Sequence, residues 1–540
     1  MIRALLLLAA FALSPSVESG GPIRFPTVLA LEHRISGETT VAVPHGDHDY
    51  YGEVDVDVTI GLDGRVIEAR VGSDGNRAKL EIAPALAAAR AFKFRPFSYR
   101  GKPVVAMATV SIRYVAGGAG GWRDPNADLP PIDYARLSIT LTRSSCYGSC
   151  PDYQVTIDGA GNVVFTTSEA SPDEVSELHR DNAPYRGVLV PGTHRTTIDR
   201  ATLDKLIEQF RAVRFFGLRA EYSAAVTDNP SYVVTFESGG KRWQVVDYVG
   251  EQAGMPVEVS ALQDAIDEAA GTARWVHGNA QTVPALLAGG FDSRGEEARR
   301  MALMSALWED GHVAADLIAA GLPLEPPVAF RRDTMPLGSA LLWSAVQQGR
   351  PRLFAMLAER GWLKRTPRAA LDDLFASGSG GCDPGIARAM VAAGANPNAR
   401  SVSERETALI SLLDSYNCRD RTARDAQLVA LLKLGADVDA LDDEGRSAIF
   451  HVEDPDQLER LLAAGARIDI KDKDGNSAAF ASWTDVIVLR LLDAGADPRG
   501  AHTLDRGGFL EGDRRKSLRQ IAREYDMPAV LAWLDARGIP

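Results

Sequence analysis

Two of the four cysteines, Cys146 and Cys150, fall inside one short stretch, "RSSCYGSCPDY". A thiol pair this close can exchange disulfides, form half of a metal site, or staple a loop. Redox pairs are usually Cys-x-x-Cys at the start of a helix, where the dipole lowers the thiol pKa. Here three residues intervene, and the flanks alternate like strands. A structural zinc takes four ligands, yet no further Cys or His follows closely, and His179 and His194 stand alone. The spacing favours a staple, and closing so short a loop is worth about 2 kcal/mol in chain entropy.

Other clusters carry less chemistry. "HGDHDYYG" gathers His45, Asp47, His48 and Asp49 ahead of the first strand, with no scaffold to aim them. "DIKDKDG" has the charge of a calcium loop. Aligned on Gly475, it puts Ile470 and Ala481 where the first and last ligands belong, so it reads as a hairpin tip. The glycines of "GGAGG", 117 to 121, precede no helix and cannot form a phosphate loop. Thr227, Asp228 and Pro230 either anchor a polar ligand or form an Asx-type turn, and the turn is favoured. Gly-x-Ser-x-Gly, His-Glu-x-x-His and Walker patterns are missing. No catalytic residue, metal or cofactor is expected.

The chain opens with "MIRALLLLAAFALSPSVESGGP": Arg3, an apolar run from Ala4 to Leu13, then small residues. That run is half the ~20 residues needed to span a bilayer. It is expected to be a secretory signal over residues 1–19, cleaved after Ser19. No cysteine lies near that point to take a lipid, and membrane attachment would require the leader to be retained. An even cysteine count in an exported chain favours disulfides. A net charge of −13 without a basic stripe argues against nucleic acid.

The 540 residues divide at two breaks. "VAGGAGGWRDPNADLPP", 115–131, reads as a linker. Near "RWVHGNAQTVP" strand-like alternation gives way to helical spacing. In the first segment, 50–114, Val54, Val56, Val58 and Ile60 alternate with polar residues. "LDGR" then turns the chain into "VIEARV". "LEIAPALAAARAFKF" has helical spacing, and "KPVVAMATVSIRY" alternates again, giving ββαβ. In the middle segment, 132–278, strand-like runs surround the cysteine loop and "DGAGN". Asp199 caps a helix with Leu203, Leu206, Ile207 and Phe210 on one face. "SYVVTFESGGKRWQVVDYVG" is a hairpin, and "VEVSALQDAIDEAA" is a closing helix.

Two resemblances follow from these residues. "GLDGRVIEARV", "KFRP" and "GKPVVAMATVSIRY" resemble the C-terminal domain of the TonB energy-transducer family, which implies its fold. This chain lacks that family's membrane-spanning helix with a histidine and its Pro-rich spacer, so the resemblance does not imply energy transduction. Cys146 to Pro151, with Thr227, Asp228 and Pro230, resemble an uncharacterised bacterial family marked by Cys-Tyr-Gly-x-Cys-Pro.

The last segment, 281–540, repeats. "AMVAAGANPNA", "ALLKLGADVDA", "RLLAAGARIDI" and "RLLDAGADPRG" align on glycines. The aligned set is Gly290, Gly321, Gly361, Gly394, Gly435, Gly465, Gly495 and Gly538, at a period near 33. Leucine pairs, Gly-Ala-Asp and Asp-x-x-Gly at this period form the ankyrin signature. A single such unit cannot bury its apolar face, so the units must stack. Stacking would bring Cys382 and Cys418, each in a polar insertion, together as a second disulfide. The expected architecture is a multidomain α+β chain: a small ββαβ module, an α+β middle domain and a C-terminal α-solenoid.

The expected function is a periplasmic interaction scaffold of a Gram-negative bacterium. Its array would bind another envelope protein through hairpin tips at Asp442, Asp443, Glu444, Lys471, Asp472, Lys473 and Asp474. Two other readings are a component coupled to TonB-type energy transduction and an enzyme in the middle domain.

Overall fold

Alternating valines build the first unit. Val54, Val56, Val58 and Ile60 form the buried face of strand Gly52–Ile60. The chain turns at Gly64, whose φ of +79° suits glycine. A Cβ there would lie 2.0 Å from the Phe94 carbonyl oxygen, so glycine is also needed for space. Val66–Val71 returns antiparallel, helix Ile82–Arg90 buries Ala85 and Ala89 against the sheet, and Ala106–Gly117 pairs along Gly52–Ile60. The computed structural model describes residues 21–44, 52–72, 82–117, 121–147, 150–167, 187–224, 226–331, 333–414, 418, 420–500, 502–503 and 515–540. The expected leader over 1–19, and His45, Asp47, His48, Asp49, Gly148 and His179, lie outside the described residues.

This unit begins earlier than the boundary at residue 50. Ile23–Arg24 and Thr40–Pro44 both pair in parallel with the far edge of Ala106–Gly117, joined through helix Thr27–His33. A strand of two residues carries no period, so alternation could not announce it.

The middle unit is a seven-stranded sheet among the described residues. Its order is Thr193–Thr197, Asn162–Thr166, Tyr153–Asp158, Ser138–Arg143, Ser231–Ser238, Lys241–Tyr248, Glu221–Ser223. Asp199 caps helix Arg200–Ala212 by accepting from Thr202 N at 2.8 Å. Leu203, Leu206, Ile207 and Phe210 of that helix are buried, and it contacts helix Val257–Ala270. The stretch read as a linker is not a free tether. Residues up to Gly117 finish a strand. Beyond it, Trp122 Nε1 donates to the Val213 carbonyl at 3.0 Å, and Asp124 N donates to the Gly217 carbonyl at 2.9 Å. Beyond Gly117 its Gly, Pro and Asp content interrupts regular structure without preventing packing.

The C-terminal segment is two rows of short elements whose main contacts run to neighbours in the same row and across each pair. One row holds Glu296–Trp308, Leu337–Gln347, Arg368–Ser377, Ala408–Asp414, Ala448–Phe450, Ala478–Phe480 and Leu518–Glu524. The other holds His312–Ala319, Pro351–Glu359, Pro384–Ala392, Arg421–Lys433, Pro455–Ala463, Asp485–Asp493 and Pro528–Asp535. The eight aligned glycines follow second-row elements or helix Thr282–Ala288, with φ between +62° and +109°. That is the left-handed turn that ends a helix. A hairpin, Pro327–Phe330 with Asp333–Pro336, widens the spacing between Gly321 and Gly361.

The first unit docks on the last helices of this segment. Asp485, fully buried at the start of Asp485–Asp493, accepts from Arg24 N at 3.0 Å, Val530 N at 2.8 Å and Ala529 N at 3.3 Å. The Arg24 guanidinium reaches Asp57 at 3.3 Å and Asp526 at 2.9 Å. At the other end of the same helix Asp493 accepts from Tyr99 Oη at 3.1 Å and pairs with Arg100 at 3.2 Å.

Burial pushes the Asp485 carboxyl up to about 6, against the pull of its three N–H donors. An acid whose pKa rises on folding holds its proton better in the native state. Its contribution is therefore present below about pH 4 and is lost as pH rises through about 6, by about 3 kcal/mol. Asp485→Asn is expected to remove that slope. The check is hydrogen exchange of helices Asp485–Asp493 and Pro528–Asp535 at pH 4.5 and 6.5 in both proteins, where equal slopes would contradict it.

Candidate binding cleft beneath the hairpin tips

The predicted tips form, but their charges divide into three groups. Asp442 Oδ1 accepts from Glu444 N at 2.8 Å and Arg446 N at 2.7 Å. Asp472 Oδ1 accepts from Asp474 N at 3.0 Å and Asn476 N at 2.8 Å. Each closes its own turn over a glycine of positive φ, Gly445 or Gly475. Both side chains are only 8% exposed. Asp442 and Asp472 are therefore corrected from partner-facing charges to turn-forming ones. Lys471 pairs with Asp497 at 2.8 Å, and Asp443 pairs with Arg400 at 2.8 Å. Glu444, Lys473 and Asp474 remain exposed. Adjacent tips are tied together, because Lys473 N donates to the Glu444 carbonyl at 2.9 Å.

A cleft of about 320 Å³ opens beneath these tips. Its cause is local. The first-row elements here are single 3-10 turns, Ala448–Phe450 and Ala478–Phe480, where earlier pairs have full helices. Pro455 starts the next helix with Asp454 as its cap, so only His451 to Glu453 lie between. The residue before a proline is barred from helical backbone, and a longer first helix has no room. Phe450, Phe480 and Trp483 supply apolar wall, while Arg424, Arg446, His451, Asp414 and Glu453 supply charge.

His451 is the most perturbed group of the cleft. Its side chain is 10% exposed and lies between Asp442 Oδ2, 3.3 Å from Nε2, and Asp414 Oδ1, 3.9 Å from Nδ1. Burial disfavours the charged ring, but Asp414 and Asp442 outweigh it and push the pKa up to about 9. His451 in turn holds the Asp414 carboxyl below its usual range. Glu406, half-buried near the same carboxylates, is raised by burial and then by the field of Asp414. The clamp joins the end of helix Ala408–Asp414, a hairpin tip and a 3-10 turn. A lone histidine after "SAIF" gives no sequence signal for this, because its partners lie in other units.

Both cysteine pairs are disulfides. Cys146–Cys150 has a Cα–Cα distance of 5.5 Å, and Cys382–Cys418 one of 5.7 Å across 36 residues. The first lies beside the Thr227–Pro230 loop: Tyr147 N donates to the Asp228 carbonyl at 3.4 Å, and Ser231 N to Ser144 Oγ at 2.8 Å. Thr227, Asp228 and Pro230 shape an exposed turn, with Thr227 Oγ1 on Asp228 Oδ2 at 3.1 Å and Asp228 at φ +68°. The nearest titratable cluster of the middle unit is already engaged. Asp267 accepts from Tyr153 Oη at 2.7 Å, Thr272 Oγ1 at 2.7 Å and Arg143 Nε at 2.8 Å. His194 stacks on Trp275, with ring centroids 4.0 Å apart.

Residues 137–270, about a quarter of the chain, match the family described as a domain of unknown function (DUF6438). The matched span holds both the Cys146–Pro151 and Thr227–Pro230 motifs. No curated protein matches the chain.

Two outcomes follow. Reducing Cys382–Cys418, or changing both to Ser, is expected to cost about 4 kcal/mol, against about 2 kcal/mol for Cys146–Cys150, because the closed loop is longer. Urea unfolding of each double-serine protein measures the difference. A histidine whose pKa is raised on folding stabilises fully below about pH 6.5 and loses that contribution as pH rises through about 9, here by about 3 kcal/mol. The last repeats are expected to weaken between pH 6 and pH 9.5 in the native protein, and His451→Gln to show no such slope in the same urea titration.

Proposed function

We propose that this chain is an exported, periplasmic scaffold that binds another envelope protein through its C-terminal segment, an ankyrin array. The observation that carries the proposal is the pair of tips over residues 442–445 and 472–475. Each is closed by its own aspartate and joined to its neighbour by a main-chain hydrogen bond, with Glu444, Lys473 and Asp474 exposed. A surface fixed before binding loses little entropy on association. Exposed charges of both signs along it would govern encounter rate and partner choice. Nearest-neighbour stacking in two rows and left-handed glycines at the repeat period support the ankyrin reading.

A second reading has the first unit as a TonB-like domain that recruits a peptide by strand addition. It is favoured by the edge strand Val66–Val71, which pairs on one side only among the described residues, with Ile67 64% exposed. The opposite edge is taken by Ile23–Arg24 and Thr40–Pro44.

Affinity capture from the native envelope with the oxidised full chain tests the scaffold. One partner should be enriched, and Lys473→Glu with Asp474→Lys should slow its association about tenfold at low salt. Unchanged capture by that variant would refute binding through the tips. Mass spectrometry of the mature N-terminus tests the leader, with cleavage after Ser19 expected.

A further inference from the structure

The cleft beneath the tips contains a half-buried cation, Arg446, whose field helps lower the Asp414 carboxyl but whose guanidinium is not hydrogen-bonded to a described residue. Arg446 spends its main-chain N–H on Asp442 Oδ1 at 2.7 Å, but its guanidinium makes no ion pair or hydrogen bond to a described residue. Its neighbours are committed. Arg424 Nε donates to the Cys418 carbonyl at 3.0 Å. His451 is held by Asp414 and Asp442, and Asp472 by two turn N–H groups. Glu453 is exposed, so water satisfies it. A half-buried guanidinium whose N–H groups are not spent on the protein is a planar, two-pronged receptor for a carboxylate. Phe450 and Phe480 are buried walls of the same cleft.

We propose that this cleft takes the C-terminal residue of a partner polypeptide, its carboxylate on Arg446 and an apolar or aromatic side chain against Phe450, Phe480 and Trp483. A chain end carries carboxylate and side chain on one carbon, matching the adjacency of cation and apolar wall. A space of about 320 Å³ holds roughly two residues, enough for a terminus and too little for a strand running through. The inference rests on the scaffold reading and gives that reading's partner a chemistry.

The test is calorimetric titration of the oxidised full chain with three probes: acetyl-Gly-Gly-Phe as the free acid, the same peptide amidated, and acetyl-Gly-Glu-Gly-amide. The free acid should bind at least about tenfold more tightly than either amide. Arg446→Gln should lose the same factor, and Arg446→Lys should recover part of it, since a point charge replaces a fork. Equal binding of acid and amide, or no binding by any probe, overturns the site. Equal binding of the glutamate peptide overturns the chain-end assignment. The acid–amide comparison uses unaltered protein, so it stands even if Arg446→Gln unfolds. If the partner is captured normally by Arg446→Gln but not by the tip variant, this inference falls and the scaffold stands. If the tip variant captures normally, the scaffold reading falls, whatever the peptides do.

Discussion

A carboxylate sealed from water must be met by donors, and that requirement shapes this molecule at Asp485. Side-chain donors are not what meet it. Three main-chain N–H groups do, one from Arg24 and two from the start of helix Pro528–Asp535. Leaving any of them unmade would cost a buried polar group its partner, about 1–3 kcal/mol each. The strand at Ile23–Arg24 therefore cannot leave without exposing the carboxylate, and the last helix cannot shift alone. Arg24 then fixes Asp57 and Asp526 from the same position. One buried charge thus makes the first unit part of the C-terminal stack, and the buried apolar side chains of all three segments form one continuous cluster.

Away from that docking, the hairpin edge combines engaged carboxylates with the exposed charges of Glu444, Lys473 and Asp474. The same chemistry is used there twice for different ends. At Asp442 and Asp472 carboxylates turn inward to hold backbone, and the rigid tips they create carry other charges outward. Beneath them a shortened first-row turn replaces helix with space, and His451 bridges units that would otherwise repel through Asp414 and Asp442. Rigidity and vacancy come from the same few residues between Asp442 and Pro455.

Periodicity revealed what is local. The valine alternation at 54–60, the Asp199 cap and the aligned glycines each depend on residues within one element, and each lies where its spacing put it. The Cys382–Cys418 contact was legible because a repeat converts sequence distance into spatial adjacency. What was hidden depends on partners far along the chain. Asp485 looks like any first-turn aspartate, His451 like any surface histidine, and Ile23–Arg24 is too short to alternate. The tip charges look alike in sequence, which does not say which carboxylate bends back to its own backbone. Trp122, inside an apparent linker, is half-buried by loop packing that has no period.

The bond from Arg24 to Asp485 spans 461 residues. Contacts so distant in sequence close late, because the intervening chain must be organised before its ends can meet. A ribosome delivers Arg24 long before Asp485, Ala529 and Val530 exist in folded form. Until then Thr40–Pro44 covers one end of that edge of Ala106–Gly117, but Ile23–Arg24 holds the other by two residues alone, a short stretch open to other strands. Maturation of this protein therefore has a natural last step, the clasp of its beginning to its end, and an interval before that step in which a chaperone would be most useful.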